Sequence, residues 1–468
     1  MNLKAGSHIH LMGICGTAMA SLAGLLKDRG FKITGSDQNP YPPMSTQLES
    51  LGISIMKGYK KENLHPKPDF VIVGNVISAG NEEAQELVKL EIPYTSLPKA
   101  MGEFIIENRQ CICISGTHGK TTTTSMMAWV AQEIGVEPGF LIGGIAKNFS
   151  KSFQNPKGNF FVIEGDEYDT AFFDKVPKFV HYRPKNVIFT SCEFDHADIY
   201  KDLQAVKDAF AMLMKLVPAD GILMACAEET NVMELKTLSK AQKNFSYGLS
   251  KGDYQAKVSK ISDAGTDFSV SFQGKTLGEF HVTLTGDYNV LNTLSVVGLS
   301  HQLGWDLAKV KKALQTFEGV KRRQEVLGEP RGILVIEDFA HHPTAVRETV
   351  KGIKAKYKGR KVFGVFEPRS ATSRRKVFQK DYVEAFQECD VTMLARAFDQ
   401  SKIDEENRFS SEELVEDLQS VGKKAQVYDG ADAIVVDLVR QAQKGDLILI
   451  MSNGGFDNIY QKLLAALK

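Results

Sequence analysis

The sequence has no excess of charge of either sign. Lysine plus arginine and aspartate plus glutamate each number 57, so the formal net charge is zero. A global electrostatic grip on nucleic acid or an anionic membrane is therefore not expected. Long apolar runs are missing too, and none approaches the roughly 20 residues that span a bilayer. The opening MNLKAGSHIHLMGICG has no apolar signal core with a small-residue cleavage site. Cysteine is scarce: six residues, at 15, 111, 113, 192, 226 and 389, with no C-x-x-C among them. Cys111 and Cys113 alternate inside an apolar run, as reduced core thiols of a cytoplasmic protein would. Proline is sparse beside glycine, 15 against 39, and 43 % of residues are hydrophobic. That balance excludes collagen-like, low-complexity and largely disordered chains. No repeat with a fixed period of some 20–50 residues is visible.

What is present is 468 residues of strand-and-helix alternation, enough for about three domains. His8–Ile14, Lys32–Gly35 and Phe70–Val73 read as buried strands, with a helix at Thr17–Arg29 between the first two. A second unit opens at Gln110–Ser115 and continues through Phe160–Ile163, Val187–Phe189 and Ile222–Ala225. Between about 253 and 284 short alternating runs suggest antiparallel strands, and helices follow to about Phe317. EGVKRRQEVLGEPRG reads as a connection. A third unit places strands near Ile333–Ile336, Val362–Phe366, Val391–Leu394 and Leu447–Met451. The expected class is α/β in three domains, each with a mainly parallel sheet flanked by helices. The domains are expected at 1–105 (Rossmann-like), 106–322 (a phosphate-loop type with added antiparallel strands) and 323–468 (Rossmann-like).

The strongest chemical signal is ICISGTHGKTTTTSMM. An apolar strand enters a glycine-rich turn, then Lys-Thr, then a helix. Glycines let backbone amides converge on phosphate oxygens at a helix N-terminus. Lys120 would bridge the outer phosphates and Thr121 would ligate Mg²⁺. Gly116 and Gly119 lie only three apart, so this is not a strict G-x-x-x-x-G-K-[ST] loop. A second strand ends in FFVIEGDEYD, with four carboxylates at Glu164, Asp166, Glu167 and Asp169. An acid at a neighbouring strand end commonly holds Mg²⁺ opposite the loop hydroxyl. In VIFTSCEFDHAD, His196 is a candidate second-metal ligand or a structural histidine. In GDYNVLN, Asn289 and Asn292 share a helix face and read either as nucleotide contacts or as caps. VKRRQEV places two guanidiniums suited to a transferring phosphate, or to an exposed linker. IEDFAHHPTA sets an acid and two histidines at a strand end, where α/β sheets bind ligands.

The N-terminal LMGICGTAMASLAGLL is spaced Gly13-x-x-Gly16-x-x-Met19, with Cys15 where a pyrophosphate normally requires glycine. The helix start at Gly16–Thr17 still offers amides to a diphosphate, and Asp37 is placed to take a ribose hydroxyl.

Together and in this order, GTHGKTT, EGDEYD, FDHAD, G-x-x-N-x-x-N, the arginine pair and D-x-x-HHP resemble the Mur ligase family of ATP-dependent amide-forming enzymes. GICGTAMASLAGLL, GSD and DFAHHP resemble its branch acting on UDP-N-acetylmuramate. One member of that branch adds free L-alanine. Another adds the recycled tripeptide L-alanyl-γ-D-glutamyl-meso-diaminopimelate. NPYPPMS, GNVISAGN, FVHYRPKN, FEPRS and MSNGGF resemble the tripeptide-adding member; the alanine-adding one is the alternative.

The resemblance implies a UDP-sugar domain, an ATP domain and a C-terminal peptide domain. It implies ATP as co-substrate, two Mg²⁺ ions, and an acyl phosphate on the lactyl carboxylate that the alanine amine attacks. Carried to this chain, Gly116, Thr117, His118, Gly119, Lys120, Thr121 and Thr122 hold ATP, with Asn289, Asn292, Arg323 and Asp338. Thr121, Glu164 and His196 are the metal ligands. Lys120, His196, Arg323 and His341 serve the chemistry, His341 near the sugar carboxylate. Gly13, Cys15, Gly16, Thr17, Ser36, Asp37, Asn75 and Ser78 hold the UDP sugar. The resemblance implies no nucleic acid, membrane or obligate protein partner, and a cytoplasmic location.

Two positions depart from the family pattern. Tyr288 stands where the family has histidine, and Phe210 where several relatives carry a carbamylated lysine, so no carbamate is expected. A tripeptide lacks the free alanine carboxylate and carries its charges further out. Arg369, Arg374 and Arg375 are candidates to meet them, Arg369 foremost because it ends a strand. Two other classes remain: an NAD-dependent dehydrogenase on the N-terminal domain, against Cys15 and GTHGKTT, and a nucleotide-dependent regulatory module, against Glu164, His196 and Arg323 together.

Overall fold

A computed structural model describes residues 3–40, 44–149 and 151–468. Residues 41–43 of the NPYPPMS segment lie outside the described residues. The chain forms two compact units. The first comprises Met1–Cys192, Val206–Tyr254 and Ser295–Ala313, and the second Glu193–Ala205, Gln255–Leu294 and Leu314–Lys468.

The first unit holds a parallel sheet and the mainly parallel part of a second, mixed one. One has five strands in the order Ser54–Lys57, Lys32–Asp37, His8–Met12, Phe70–Val73, Tyr94–Ser96, all parallel. Its central strand is fully enclosed at Ile9, Leu11 and Met12, as a strand covered on both faces must be. The other sheet carries Gln110–Ser115 between Pro184–Phe189 and Phe160–Gly165, with Ile222–Cys226 and Lys243–Gly248 beyond on one side. On its other side Gly139–Leu141 runs parallel and Phe153–Gln154 antiparallel. Chain order crosses over between neighbours, and right-handed crossovers put helices such as Lys120–Glu133 on the faces.

In the second unit Gly265–Phe272 and Lys275–Val282 pair antiparallel, and Tyr254–Ser262 neighbours the former. The six-stranded C-terminal sheet runs Glu325–Gly328, Leu334–Asp338, Leu447–Met451, Val362–Phe366, Val391–Ala395, Lys424–Tyr428. Only the first strand is antiparallel. Period-two alternation sorts its side chains between two cores. Leu334, Ile336, Leu447 and Leu449 enter one; Ile333, Val335, Ile448 and Ile450 enter the other. The α/β class with mainly parallel sheets is therefore present.

Some element limits differ from expectation. The first strand stops at Met12 because Gly13 and Ile14 turn to donate to the Ser36 carbonyl, at 2.8 and 3.0 Å. The expected connection contains a strand, Glu325–Gly328, zipped antiparallel onto Leu334–Asp338. All six cysteines are buried, and none forms a disulfide. No helix among the described residues is long and apolar enough to cross a membrane.

Candidate active site

The candidate phosphate loop is built by geometry that only glycine allows. Gly116 has φ 136°, and a Cβ there would sit 2.2 Å from Thr190 Oγ1 and 2.7 Å from the Ser191 amide nitrogen. Gly119, at φ 81°, starts helix Lys120–Glu133 in the left-handed region. The loop is tied to the next strand end: Thr117 N donates to Ser191 O at 3.1 Å and His118 N to Ser191 Oγ at 2.8 Å. The amides of Lys120, Thr121 and Thr122 begin the helix and so have no partner within it, which is the arrangement an anion uses.

Lys120 Nζ donates to Gly116 O at 2.6 Å and to Glu167 Oε2 at 3.2 Å. Burial works against its charge, but Glu167 and Asp166 outweigh burial and raise its pKa. Thr121 Oγ1 donates to Glu164 Oε2 at 3.0 Å, and Gly143 N to Glu164 Oε1 at 2.6 Å. Burial, then repulsion from Asp166, pushes the Glu164 carboxyl up. A hydroxyl and a partly buried carboxylate facing each other form an all-oxygen donor set, which fits Mg²⁺. The structure adds Lys178, a half-buried cation the motif reading missed. It pairs with Asp166 at 2.9 Å and lies 4.1 Å from the Tyr168 ring centre. Burial alone would raise Asp166, but Lys178 and Lys120 bring it down to about 2.

At the N-terminal sheet, the amide of Gly16 donates to Gly13 O at 3.2 Å and that of Cys15 to Asp37 Oδ2 at 2.9 Å. Asp37 Oδ1 takes the amide of Asn39. Asp37 thus fastens the loop, where the sequence suggested only a ribose contact. The amide of Thr17 begins the helix and has no intrahelical partner. Cys15 is buried, and burial followed by Asp37 pushes its thiol up to about 11. Ser36 Oγ donates to Glu83 Oε1 at 2.9 Å, and Glu83, wholly buried, also meets His10 at 2.7 Å and Asn63 at 2.9 Å. Asn75 and Ser78 lie exposed after strand Phe70–Val73.

In the second unit the side chains of Asp195, His341 and Thr372 and the amide of His196 come together. Asp195 Oδ2 lies 3.8 Å from His341 Nε2, and Asp195 Oδ1 accepts Thr372 Oγ1 at 2.6 Å and the His196 amide at 2.7 Å. Burial would raise Asp195, but His341, His196 and His342 hold it well below the carboxylate range. His196 itself has φ 54°. The two arginines divide their work. Arg322 is taken by Glu337 at 2.6 Å and by the carbonyls of Ser452 and Gly454. Arg323 lies over Phe339 at 4.7 Å. Asp338 is buried and accepts the amides of Gln324 at 2.7 Å and Ala340 at 2.8 Å. Asn289 Nδ2 donates to Thr285 O at 2.8 Å, with Asn292 Nδ2 3.5 Å from Asn289 Oδ1. Arg369 lies 3.7 Å from the Phe398 ring centre and 3.3 Å from Glu367. Arg374 is spent on the carbonyls of Ser370 and Asp399. Phe210 is wholly buried against Phe189, with ring centres 4.9 Å apart.

Three family models match along the chain: Mur ligase family, catalytic domain, over residues 8–109; Mur ligase middle domain over 114–300; and Mur ligase, glutamate ligase domain, over 322–454. The chain belongs to the Mur ligase family, whose members are ATP-dependent and use Mg²⁺. It is 37 % identical over 460 residues to the UDP-N-acetylmuramate–L-alanyl-γ-D-glutamyl-meso-2,6-diaminoheptandioate ligase of Escherichia coli (strain K12), covering 98 % of each. It is 30 % identical over 459 residues to the UDP-N-acetylmuramate–L-alanine ligase of Desulfitobacterium hafniense (strain Y51), covering 98 % of this chain and 99 % of that one. A crystal structure of a murein peptide ligase from Psychrobacter arcticus 273-4 is similar at TM-score 0.71 and 35 % identity, covering 99 % of both.

Proposed function

We propose that this protein joins L-alanyl-γ-D-glutamyl-meso-diaminopimelate to UDP-N-acetylmuramate with cleavage of ATP to ADP, as a step in murein recycling in the cytoplasm. The observation that carries the reading is the Lys120–Thr121 loop facing Glu164, in a chain 37 % identical over nearly its whole length to a relative named for this reaction. The lower identity to the alanine-adding relative, 30 %, favours the tripeptide over free L-alanine.

In this reading residues 1–105 bind the UDP sugar, 106–322 bind ATP and 323–468 receive the peptide. Lys120 draws the outer phosphates onto the amides of Thr121 and Thr122, and Arg323 meets the γ-phosphate as its charge grows. Asp338 takes the ribose, and Asn289 and Asn292 lie beside the base. Thr121 and Glu164 would hold one Mg²⁺ and His196 a second; bound there, the ions neutralise phosphate charge. The lactyl carboxylate attacks the γ-phosphorus, ADP leaves, and an acyl phosphate remains. The alanine α-amine adds to its carbonyl, and phosphate departs from the tetrahedral intermediate. His341 stands near that carboxylate, its ring oriented by Phe339 O at 3.0 Å and by Asp195. The decisive assay supplies UDP-N-acetylmuramate, ATP and Mg²⁺ with either tripeptide or L-alanine and identifies the product by mass.

A further inference from the structure

Tyr288, one of the two positions that depart from the family pattern, is held by side-chain partners. Its hydroxyl accepts Gln324 Nε2 at 2.6 Å. The same amide group donates to Thr285 O at 3.3 Å, and Thr285 Oγ1 donates to Gln324 Oε1 at 3.2 Å. Gln324 therefore uses both of its amide hydrogens and its carbonyl on the turn that starts helix Asp287–Gln302. Its backbone works in the opposite direction, because its amide donates to Asp338 Oδ2 at 2.7 Å. Thr349, also buried, hydrogen-bonds with both Tyr288 and Asp338. All of these residues lie in the second compact unit.

The backbone explains why a side chain is needed there. Arg322 and Gln324 have φ 63° and 49°, a left-handed conformation that is strained for a non-glycine residue. These two residues flank Arg323 and turn it out over Phe339. Without the grip on Gln324 the strained pair can relax, and Arg323 then loses its place. The Thr285 carbonyl that Gln324 holds also receives Asn289 Nδ2.

We propose that Tyr288 and Gln324 form a clasp that positions the nucleotide contacts. The clasp sets Asn289 at the helix start against Arg323 and Asp338 at the strand end, so that base, ribose and γ-phosphate are met by one preassembled surface. Neither residue touches the reacting atoms; both are positioning residues. Burial, followed by Asp338, pushes the phenol well up, so the hydroxyl is neutral at working pH and keeps both its donor and its acceptor. The clasp rests on the nucleotide site proposed above.

The test uses the full-length protein with Tyr288→Phe, Gln324→Leu and the double variant. ATP–Mg²⁺ affinity is read by calorimetry, and KM and kcat are read for each substrate. Tyr288→Phe removes one oxygen and keeps the ring, so it should fold even if Gln324→Leu does not. Each single variant should weaken ATP binding roughly five- to tenfold, the scale of one or two lost neutral hydrogen bonds. The KM for UDP-N-acetylmuramate should stay within twofold. The double variant should be little worse than the worse single, because the two act as one unit. ATP affinity within twofold of the unmodified protein in Tyr288→Phe overturns the clasp, and so do additive losses or equal losses for all substrates. Calorimetry does not depend on which amine is ligated. Weakened ATP binding in the variants of a protein that makes no tripeptide product would leave the clasp standing and overturn the proposed function alone. An unmodified protein that binds no ATP overturns both.

Discussion

Lys120 Nζ and Glu167 Oε2 stand 3.2 Å apart, and Glu167 is almost wholly enclosed. The pair holds the ammonium, charged, at the glycine-rich loop, where the proposed function places the outer phosphates of ATP. Lys120→Ala should lower kcat by roughly 10²–10³-fold, the loss typical of one group that stabilises transferring charge. The fold should persist, because the loop is tied to Thr190 and Ser191 by other bonds. Steady-state phosphate release beside a circular dichroism melt checks both parts, and near-normal turnover would remove Lys120 from the site.

Glu164 faces the Thr121 hydroxyl at 3.0 Å. Glu164→Gln keeps the shape and removes the charge, so the Mg²⁺ concentration for half-maximal activity should rise at least about tenfold, the scale of losing a charged oxygen ligand to a hard cation. Thr121→Ala should move the same parameter in the same direction. Magnesium titrations at saturating ATP decide it; an unchanged midpoint in both variants would exclude these ligands.

Gly116→Ala inserts a methyl 2.2 Å from Thr190 Oγ1 and 2.7 Å from the Ser191 amide nitrogen, at φ 136°. A backbone atom cannot step aside as a flexible side chain can. The loop must shift, at a cost of order 1–3 kcal/mol, and ATP affinity should fall at least about tenfold as the amides lose their convergence. Calorimetric titration of ATP–Mg²⁺ measures it, and undiminished affinity would mean that the loop does not hold phosphate.

Asp390 gives a pH prediction. Burial would raise its carboxyl, but Lys354 at 2.6 Å and the Val362 amide at 2.7 Å bring it below the usual range. A depressed folded-state pKa stabilises above the unfolded value, about 3.9, and that stability is lost as pH falls through the folded value. Asp390→Asn should therefore destabilise at pH 7, by a margin that shrinks as the pH falls below the unfolded value. The effect is small, since exposed pairs contribute at most about 1 kcal/mol. Urea midpoints of both proteins at pH 7 and pH 3 test it; an equal gap at both pH values would contradict it.

Much of this was legible in the sequence. Phe70–Val73, Gln110–Ser115, Val362–Phe366 and Leu447–Met451 are apolar runs closed by polar or glycine residues, and their limits agree with the structure. Lys424–Tyr428 escaped because this short edge strand, with Lys424 and Gln426 exposed, lacks the continuous apolar run by which the inner parallel strands were read. The loop Gly116–Lys120 could be read because its residues are contiguous. Thr372 on Asp195 could not, because 177 residues separate them and neither belongs to a shared spacing. Glu83 and Lys178 were silent for a related reason. A buried charge is recognised by its partners, and those partners are set by the fold.

Arg369 is the proposed contact for the peptide carboxylates. It lies over Phe398 and beside Glu367, at the end of strand Val362–Phe366. A planar guanidinium stacked on an aromatic ring keeps a fixed orientation for a carboxylate. Arg369→Ala should raise the KM for tripeptide about tenfold or more and leave those for ATP and UDP-N-acetylmuramate within twofold. Initial rates with each substrate varied in turn measure this, and equal changes for all three would deny it a peptide role.

The most direct measurement incubates the unmodified protein with UDP-N-acetylmuramate, ATP and Mg²⁺, adding either the tripeptide or L-alanine at equal concentration, and follows the products by mass spectrometry. The account predicts ADP, phosphate and the UDP-N-acetylmuramoyl-tripeptide, formed much faster than any alanine adduct. Faster formation of UDP-N-acetylmuramoyl-L-alanine, or no amide product with either amine, would contradict it.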